Sequence, residues 1–471
     1  MFDIRSRGST VTREVIGGVT TFMAMSYILF VQPAVLSIAG MDAGGVFMAT
    51  CIASGVTCIL MGLLANYPIA LAPGMGENFF FVFTLCGVGS AAAAFRLTWQ
   101  EALALTAIVG VVFLGMALVG FRSKLLNSIP DALKSGIAAG IGLFIALIGF
   151  EWGHLIVPHG ATFVTLAPMK GNYIAGLTLL GLAITLLLAA WKVRGAVLLG
   201  ILLTTLAAAV LTHVQGLPGP VLPKSIVAAP HGIEHTAGAM FTGLASLAHK
   251  AVGTHWLDVL AFGFILLFMD LFDTVGTLVG VATRAGLVQQ GSLPRAERAL
   301  AADATGTILG AALGTSTVTS YIESIAGVSA GARTGLAAVV AGLCLLAAMF
   351  FQPLAGMIGA GMQVVQGDGK ILVDTFGQPV LRYPMIAPAL IFVGAMMIRA
   401  IRDVEWEDVT EAVPAFLTMA TMAFAYSISA GIAVGFISYA FAKIASGRFR
   451  QCPLIVYVFA ALWALRYALL D

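Results

Sequence analysis

Two aspartates, Asp270 and Asp273, stand inside FILLFMDLFDTVGTLVG, residues 264–280, a run otherwise made of hydrocarbon side chains and small residues. A carboxylate at the centre of a bilayer costs about 2.5 to 3.5 kcal/mol on insertion scales, so it faces protein or water and is a functional candidate by default. Asp270, Asp273 and Thr277 are spaced i, i+3 and i+7, which sets them along one helical face. Glu323 and Ser324 lie in TSYIESIAGVSAGARTG, and Glu77 with Asn78 in YPIALAPGMGENFFFVF. Carboxylates accept N–H bonds from a planar heterocycle and an amide both donates and accepts, so these groups, brought together at the membrane midplane, would suit a flat nitrogen-rich ring. For Asp270 the alternative is an acceptor for a neighbouring helix end. For Glu77 it is a structural pairing with an arginine or a backbone amide, and Arg333 reads as an interfacial cation or a helix cap.

The segments that carry Glu77 and Glu323 are poor continuous helices. Pro73, Gly74 and Gly76 interrupt the first, and small and hydroxyl residues dominate the second. Interrupted apolar segments at matching places in two halves of a chain are the best sequence pointer to a transporter's substrate site, because freed backbone groups can bind a ligand where lipid is excluded.

The rest of the chain supplies the membrane context. Of 471 residues 60% are hydrophobic and 10% charged, against about 25% charged in soluble proteins. The formal charge of +2 gives no reason to expect a nucleic-acid partner. A span needs about 20 apolar residues. On that ruler spans are expected near 16–37, 45–65, 68–88, 103–121, 130–150, 173–191 and 195–213. A second series follows near 256–282, 300–314, 316–333, 335–353, 384–401, 412–427 and 428–446.

The expected organisation is an all-α polytopic membrane protein. A cytoplasmic N-terminal segment (1–15) precedes a first seven-helix repeat (16–213), an extracytoplasmic loop (214–255), a second repeat (256–446) and a C-terminal apolar segment (447–471), which could cross the bilayer or lie along it. Seven is odd, so the two halves run in opposite directions, an inverted repeat with its third and tenth spans interrupted. FMAMSY at 22–27 resembles FMDLFD at 268–273, and GEN at 76–78 stands where IES does at 322–324. Arginine and lysine concentrate in alternate loops, Arg122 and Lys124 among them, against a thinner set that includes Lys224 and Lys370; the bias places the start of the chain in the cytoplasm.

Five cysteines without paired spacing suggest neither disulfides nor zinc, and the histidines fall in or beside outer loops, where PHGIEH at 230–235 is weak as a metal motif. No cofactor and no metal site is expected.

The runs TTFMAMSYILFVQPAVLS, APGMGENFFFVF, DLFDTVGTLVG, TSYIESIAGVSAGARTGLAAVVAGL, PALIFVGAMM and EAVPAFLTMATMAFAYSISAGIAVGFISY resemble those of the nucleobase:cation symporter family 2, in its azaguanine-type purine permease branch. The resemblance covers almost the whole chain. It implies seven plus seven inverted spans, a core domain holding the substrate, a gate domain, and a homodimer joined through the gates. By motif it implies Asp273 and Glu323 as substrate-binding carboxylates and Asn78 as the binding amide. Thr277 stands where uracil-transporting relatives have histidine. Many members have alanine after the asparagine where this chain has Phe79, which bears on pocket size.

The function expected is secondary active import of a purine nucleobase (adenine, guanine or hypoxanthine) across a bacterial inner membrane, by alternating access with proton symport; sodium is the alternative ion. Burial favours the neutral form of a carboxylate, so Glu323 or Asp273 is the expected proton carrier. GIAAGIG, residues 136–142, would permit close sliding contacts. An anion carrier of the sulfate-permease type would share the architecture but would want a cation facing the helix ends. A non-transporting receptor or enzyme finds no nucleophile motif or soluble domain to support it.

Overall fold

The structure, a computed structural model, describes residues 2–88, 95–119, 130–215, 219–220, 222–223, 225–252, 255–288, 293–364, 372 and 380–470. Arg122, Lys124, Lys224 and Lys370 of the charge pattern lie outside the described residues.

Nine helices among the described residues are long and apolar enough to cross a membrane. In chain order they are Val11–Ser37, Ala43–Leu64, Trp99–Val119, Asp131–Trp152, Tyr173–Ala190, Ala196–Val214, Trp256–Arg284, Gly335–Gly359 and Ile428–Ala445. The other expected spans are built from shorter or more polar pieces. Residues 68–88 run as strand β1 (Leu71–Pro73), a helical turn (Met75–Phe79) and a stretch of wider π-helix (Phe80–Leu85). A hairpin, β2 (Ile156–His159) with β3 (Phe163–Leu166), follows the fifth span. Strand β4 (Val318–Ser320) and the helix Ser324–Ser329 occupy 316–333, and β5 (Met362–Gln363) pairs with β6 (Leu381–Arg382). Helices Ala296–Leu313, Ala387–Met397 and Val409–Phe424 fill the remaining places.

β1 and β4 meet antiparallel, Leu71 opposite Ser320 and Pro73 opposite Val318. Two strands buried in a helical membrane protein are tolerable because each satisfies the other's backbone groups away from lipid. Proline fits the end of β1, where no donor is required of it. Gly74 donates onward to the Thr317 carbonyl at 3.2 Å, and Tyr321 spans the crossing, its amide bonded to Ala70 O and its hydroxyl to Pro73 O at 2.6 Å. The two halves thus present the same strand-then-helix break in opposite directions. Tyr27 and Asp273 are separated along the chain by the same distance as Glu77 and Glu323, and as Asn78 and Ser324.

Helices pack in two groups. Around the crossed strands lie Val11–Ser37, Ala43–Leu64, Trp99–Val119, Trp256–Arg284, Ala296–Leu313 and Gly335–Gly359. The second group comprises Asp131–Trp152, Tyr173–Ala190, Ala196–Gln215, Ala387–Met397, Val409–Phe424 and Ile428–Ala445. Apolar association in lipid relies on close backbone approach. Ala43–Leu64 crosses Gly335–Ala348 on facing glycines: a Cβ built at Gly335 would stand 2.2 Å from Gly62 O, and one at Gly342 2.6 Å from Gly55 O. GIAAGIG plays a different part from the one expected of it. Gly136 and Gly140 abut Ala415 and Met419, and Gly142 abuts Gly394, all within the second group, so these glycines knit that group together.

One helix was not foreseen, and the apolar tail whose course the sequence left open is seen as a helix. Helix Ala239–Val252 lies in the loop between the halves and is tied to the start of Trp99–Val119 by Lys250 and Glu101, 2.7 Å apart. The C-terminal segment folds as helix Leu454–Leu470 against Ile428–Ala445, with Phe459 stacked on Phe264 of the aspartate-bearing helix.

Candidate functional site

The long helix Trp256–Arg284 presents its acids to different neighbours. Asp270 is fully buried and accepts from Thr307 Oγ1 at 3.1 Å, while its other oxygen, Oδ1, has no partner. Thr307 also bonds both the amide and the carbonyl of Val318, at 3.3 Å each, so Asp270 is joined through one hydroxyl to β4. Asp273, one turn on, is exposed, and its Oδ2 accepts from Thr319 of β4 at 3.2 Å. Thr277 is buried in the following turn. The sequence spacing thus places Asp270 against the neighbouring helix and Asp273 at the open side of the strand crossing.

Glu323, half-buried, closes the tenth span's strand-to-helix break and accepts from Tyr27 Oη at 2.8 Å. Tyr27 sits at the joint between the helical pieces Val11–Met25 and Ile28–Ser37, which turns its ring inward. Glu77 is 2% exposed, with its carboxylate folded over Gly74: a Cβ there would fall 2.2 Å from Glu77 Oε2, so a side chain at 74 would displace that carboxylate. Ser324 Oγ accepts from the Ala70 amide at 3.0 Å, which ties the start of β1 to the second half. Asp273 lies within electrostatic reach of Glu323, Glu77 and Asp303. Asp273, Glu323 and Glu77 therefore gather around β1 and β4, with Asn78 on the helical turn that follows β1.

Asn78 has no solvent exposure; its Oδ1 accepts from Ser316 Oγ, and its Nδ2 has no partner. Phe79, the residue in doubt for pocket size, packs on Phe83, Phe144 and Trp152, ring centroids 6.0 to 6.5 Å apart, between the two helix groups. Tyr426 joins this aromatic seam, 5.1 Å from Phe83 and from Phe144, with its hydroxyl 2.9 Å from Glu151. Its φ of +51° is a left-handed conformation rare for a non-glycine residue, and one that persists only where the surroundings enforce it.

Two participants escaped the sequence reading. Asp303, fully buried in Ala296–Leu313, accepts from Thr274 at 2.8 Å and from Ser320 of β4 at 2.9 Å, so it holds the aspartate helix to the crossing. Its signal was available: an acid inside an apolar run, by the rule that singled out Asp273. For Tyr27 the signal was fainter: the likeness of FMAMSY to FMDLFD sets it where Asp273 stands in the other half. Arg333 acts as a cap, its guanidinium donating at 2.7 Å to the carbonyl of Val328, in the last turn of helix Ser324–Ser329, and to that of Ala332 just beyond it.

No group of three or more metal-ligating side chains occurs among the described residues. The acids around β1 and β4 are acceptors for N–H groups, and Asn78 and Tyr27 supply donors beside them.

Comparison with known proteins gives this arrangement its setting. A family model described as "Permease family" matches residues 12–362. The guanine/hypoxanthine permease PbuG of Bacillus subtilis is 39% identical over 465 residues, covering 97% of this chain and 96% of the relative. The adenine permease AdeP of Escherichia coli is 38% identical over 472 residues, covering 100% of this chain and 96% of the relative. Among solved structures, the transmembrane domain of a cyanobacterial bicarbonate transporter, BicA, superposes with a TM-score of 0.58 at 13% identity, over 89% of this chain and 97% of that one; the likeness is one of fold.

Proposed function

We propose, from the premise that this chain belongs to the permease family and is a multi-pass membrane transporter rather than an enzyme, that its cargo is a purine nucleobase held between the two helix breaks. One observation carries the reading. Asp273 and Glu323 come from different spans of the second half, are brought together at the crossing of β1 and β4, and each already accepts a hydroxyl bond, from Thr319 and Tyr27. A pair of acceptors with Asn78 nearby matches the N–H-rich edge of a purine. The full names of PbuG and AdeP fit the same class of cargo.

In this reading Asp273 and Glu323 bind ring N–H groups, Asn78 contributes its amide, and Glu77 and Thr277 line the same region. Ser324 and Asp270 hold the backbone that presents the site. Coupling falls to Glu323 or Asp273: a carboxylate moved from water into a closed site takes up a proton more readily, and a bound proton changes what it offers the ligand. Alternating access follows from the strand-bearing helix group moving against the second group along the aromatic seam of Phe79, Phe83, Phe144 and Tyr426. The chain would reside in the bacterial inner membrane with its start in the cytoplasm, as the arginine distribution favours, and pair with a second copy through its second helix group. Division into two repeats, 16–213 and 256–446, is part of the same proposal.

An anion carrier of the same fold is disfavoured by these acids, which would repel its cargo. Uptake of labelled hypoxanthine, guanine, adenine and uracil into cells expressing the chain tests the reading, with arms containing a protonophore and arms lacking sodium. Purine accumulation abolished by the protonophore and indifferent to sodium is the expected outcome. Accumulation of bicarbonate or sulfate with no purine uptake would overturn it.

A further inference from the structure

Behind Asn78 a chain of buried polar groups leads back to the helix Ala43–Leu64, and one direction of its hydrogen bonds satisfies more of them than the reverse. Thr50 Oγ1 donates to its own helix at the Val46 carbonyl, 2.7 Å away, so its oxygen can only accept from Thr315, 3.2 Å off. The Thr315 hydroxyl has thereby given away its proton, and it accepts from Gln32 Nε2 at 2.9 Å. The second proton of that amide goes to Ser316 Oγ at 3.1 Å. Ser316 is left to donate to Asn78, which must turn its oxygen toward the serine, and its NH2 group then has no partner. The opposite orientation of both amides turns the Thr315 proton toward Gln32 and surrenders one bond, either Thr50–Thr315 or Thr50–Val46. An amide's oxygen and nitrogen are told apart by their hydrogen-bond partners, and this direction keeps the most bonds while leaving Gln32 Oε1 and Asn78 Nδ2 unpaired. Gln32, Thr50, Thr315, Ser316 and Asn78 are all 0 to 1% exposed, so the network lies away from bulk solvent.

Asn78 is therefore a donor toward whatever lies against the third span, and a buried donor without an acceptor is costly to leave unmade. We propose that Gln32, acting through Ser316, is a positioning residue that fixes Asn78 as a donor and sets the site's preference for 6-oxopurines over adenine; the inference rests on the purine reading above. In hypoxanthine and guanine the carbonyl at C6 accepts and the adjacent N1–H donates, which complements an amide donor beside a carboxylate. Adenine reverses both positions, with an amino donor at C6 and an acceptor at N1. A site built to hydrogen-bond one pattern rejects the other because its own polar groups go unpaired.

The test is competition in cells expressing the intact chain. The labelled purine is whichever of hypoxanthine and adenine is taken up, and inhibition constants are measured for both. Wild type is expected to bind hypoxanthine at least about tenfold more tightly than adenine. Gln32→Glu replaces a donor with an acceptor, draws the Ser316 proton back, and lets Asn78 turn its oxygen outward. The hypoxanthine-to-adenine ratio should then move at least about tenfold toward adenine. Ser316→Ala frees the amide to turn either way and should carry the ratio toward one. Asn78→Asp, an acceptor alone, gives a second route to the adenine-favouring site should Gln32→Glu fail to fold. A wild-type preference for adenine would overturn the inference. So would variants that weaken both ligands equally, which is what a merely structural role predicts. Wild type that takes up no purine at all would instead overturn the transport reading on which the inference stands.

Discussion

At the scale of single residues, the account turns on which oxygen accepts from which donor. Tyr27→Phe deletes the hydroxyl that steadies Glu323 at 2.8 Å. A bond to a charged acceptor contributes about 1.5–3 kcal/mol, so the KM for purine should rise about ten- to a hundredfold while expression holds. An unchanged KM would remove Tyr27 from the site. Asp303→Asn makes a contrasting case. Thr274 and Ser320 both donate to Asp303, and an amide offers only one acceptor oxygen, so one buried hydroxyl loses its partner at a cost of about 1–3 kcal/mol. A lower melting temperature of the purified protein in detergent is expected; an unchanged one would show the pair to be energetically idle. The acids were legible in the sequence because a charge in oil announces itself, and Asp273, Glu323 and Glu77 do gather at one crossing. Gln32 and Ser316 were not, because a glutamine or a serine in an apolar span is ordinary until its partner, hundreds of residues away, is known.

At the scale of elements, the interrupted spans are the inventive part of the fold and the glycine crossings hold them in place. Gly335→Ala would set a methyl 2.2 Å from the Gly62 carbonyl, a backbone atom that cannot rotate aside. Overpacking of this kind costs about 1–3 kcal/mol. The variant should melt earlier and transport less, whereas Gly356→Ala, where a methyl meets open space, should do neither. Equal behaviour of the two would contradict the crossing. Helix positions followed from apolar run length, and breaks at Pro73–Gly76 and near Ser316–Ser324 followed from residues that cannot sustain a helix. That the breaks would pair as strands β1 and β4 did not follow, because a three-residue strand carries no periodicity and its partner lies in the other half. The helix Ala239–Val252 was obscured for another reason: its alternation of polar and apolar residues sits in a loop rich in proline, glycine and histidine.

At the scale of the whole molecule, the proposed alternating access has the two helix groups change their relation while each stays intact. Facing glycines lie inside the groups, and large aromatic rings lie between them, with Phe83 5.1 Å from Tyr426. Cysteines placed at these two positions, in a background lacking the native five and bridged by a short thiol-reactive linker, should arrest uptake, and cleavage of the linker should restore it. Full transport by the bridged protein would show that the seam does not move. The inverted arrangement was readable from an odd number of spans per half; the seam between the two groups was not, since glycine richness alone suggested Gly136–Gly142, which the structure places inside a group. The most direct measurement is a structure of the chain with hypoxanthine bound. The account predicts the ring against β1 and β4, its N–H groups on Asp273 and Glu323 and its carbonyl on Asn78; a purine seated elsewhere, with those side chains still bonded only to Thr319, Tyr27 and Ser316, would contradict it.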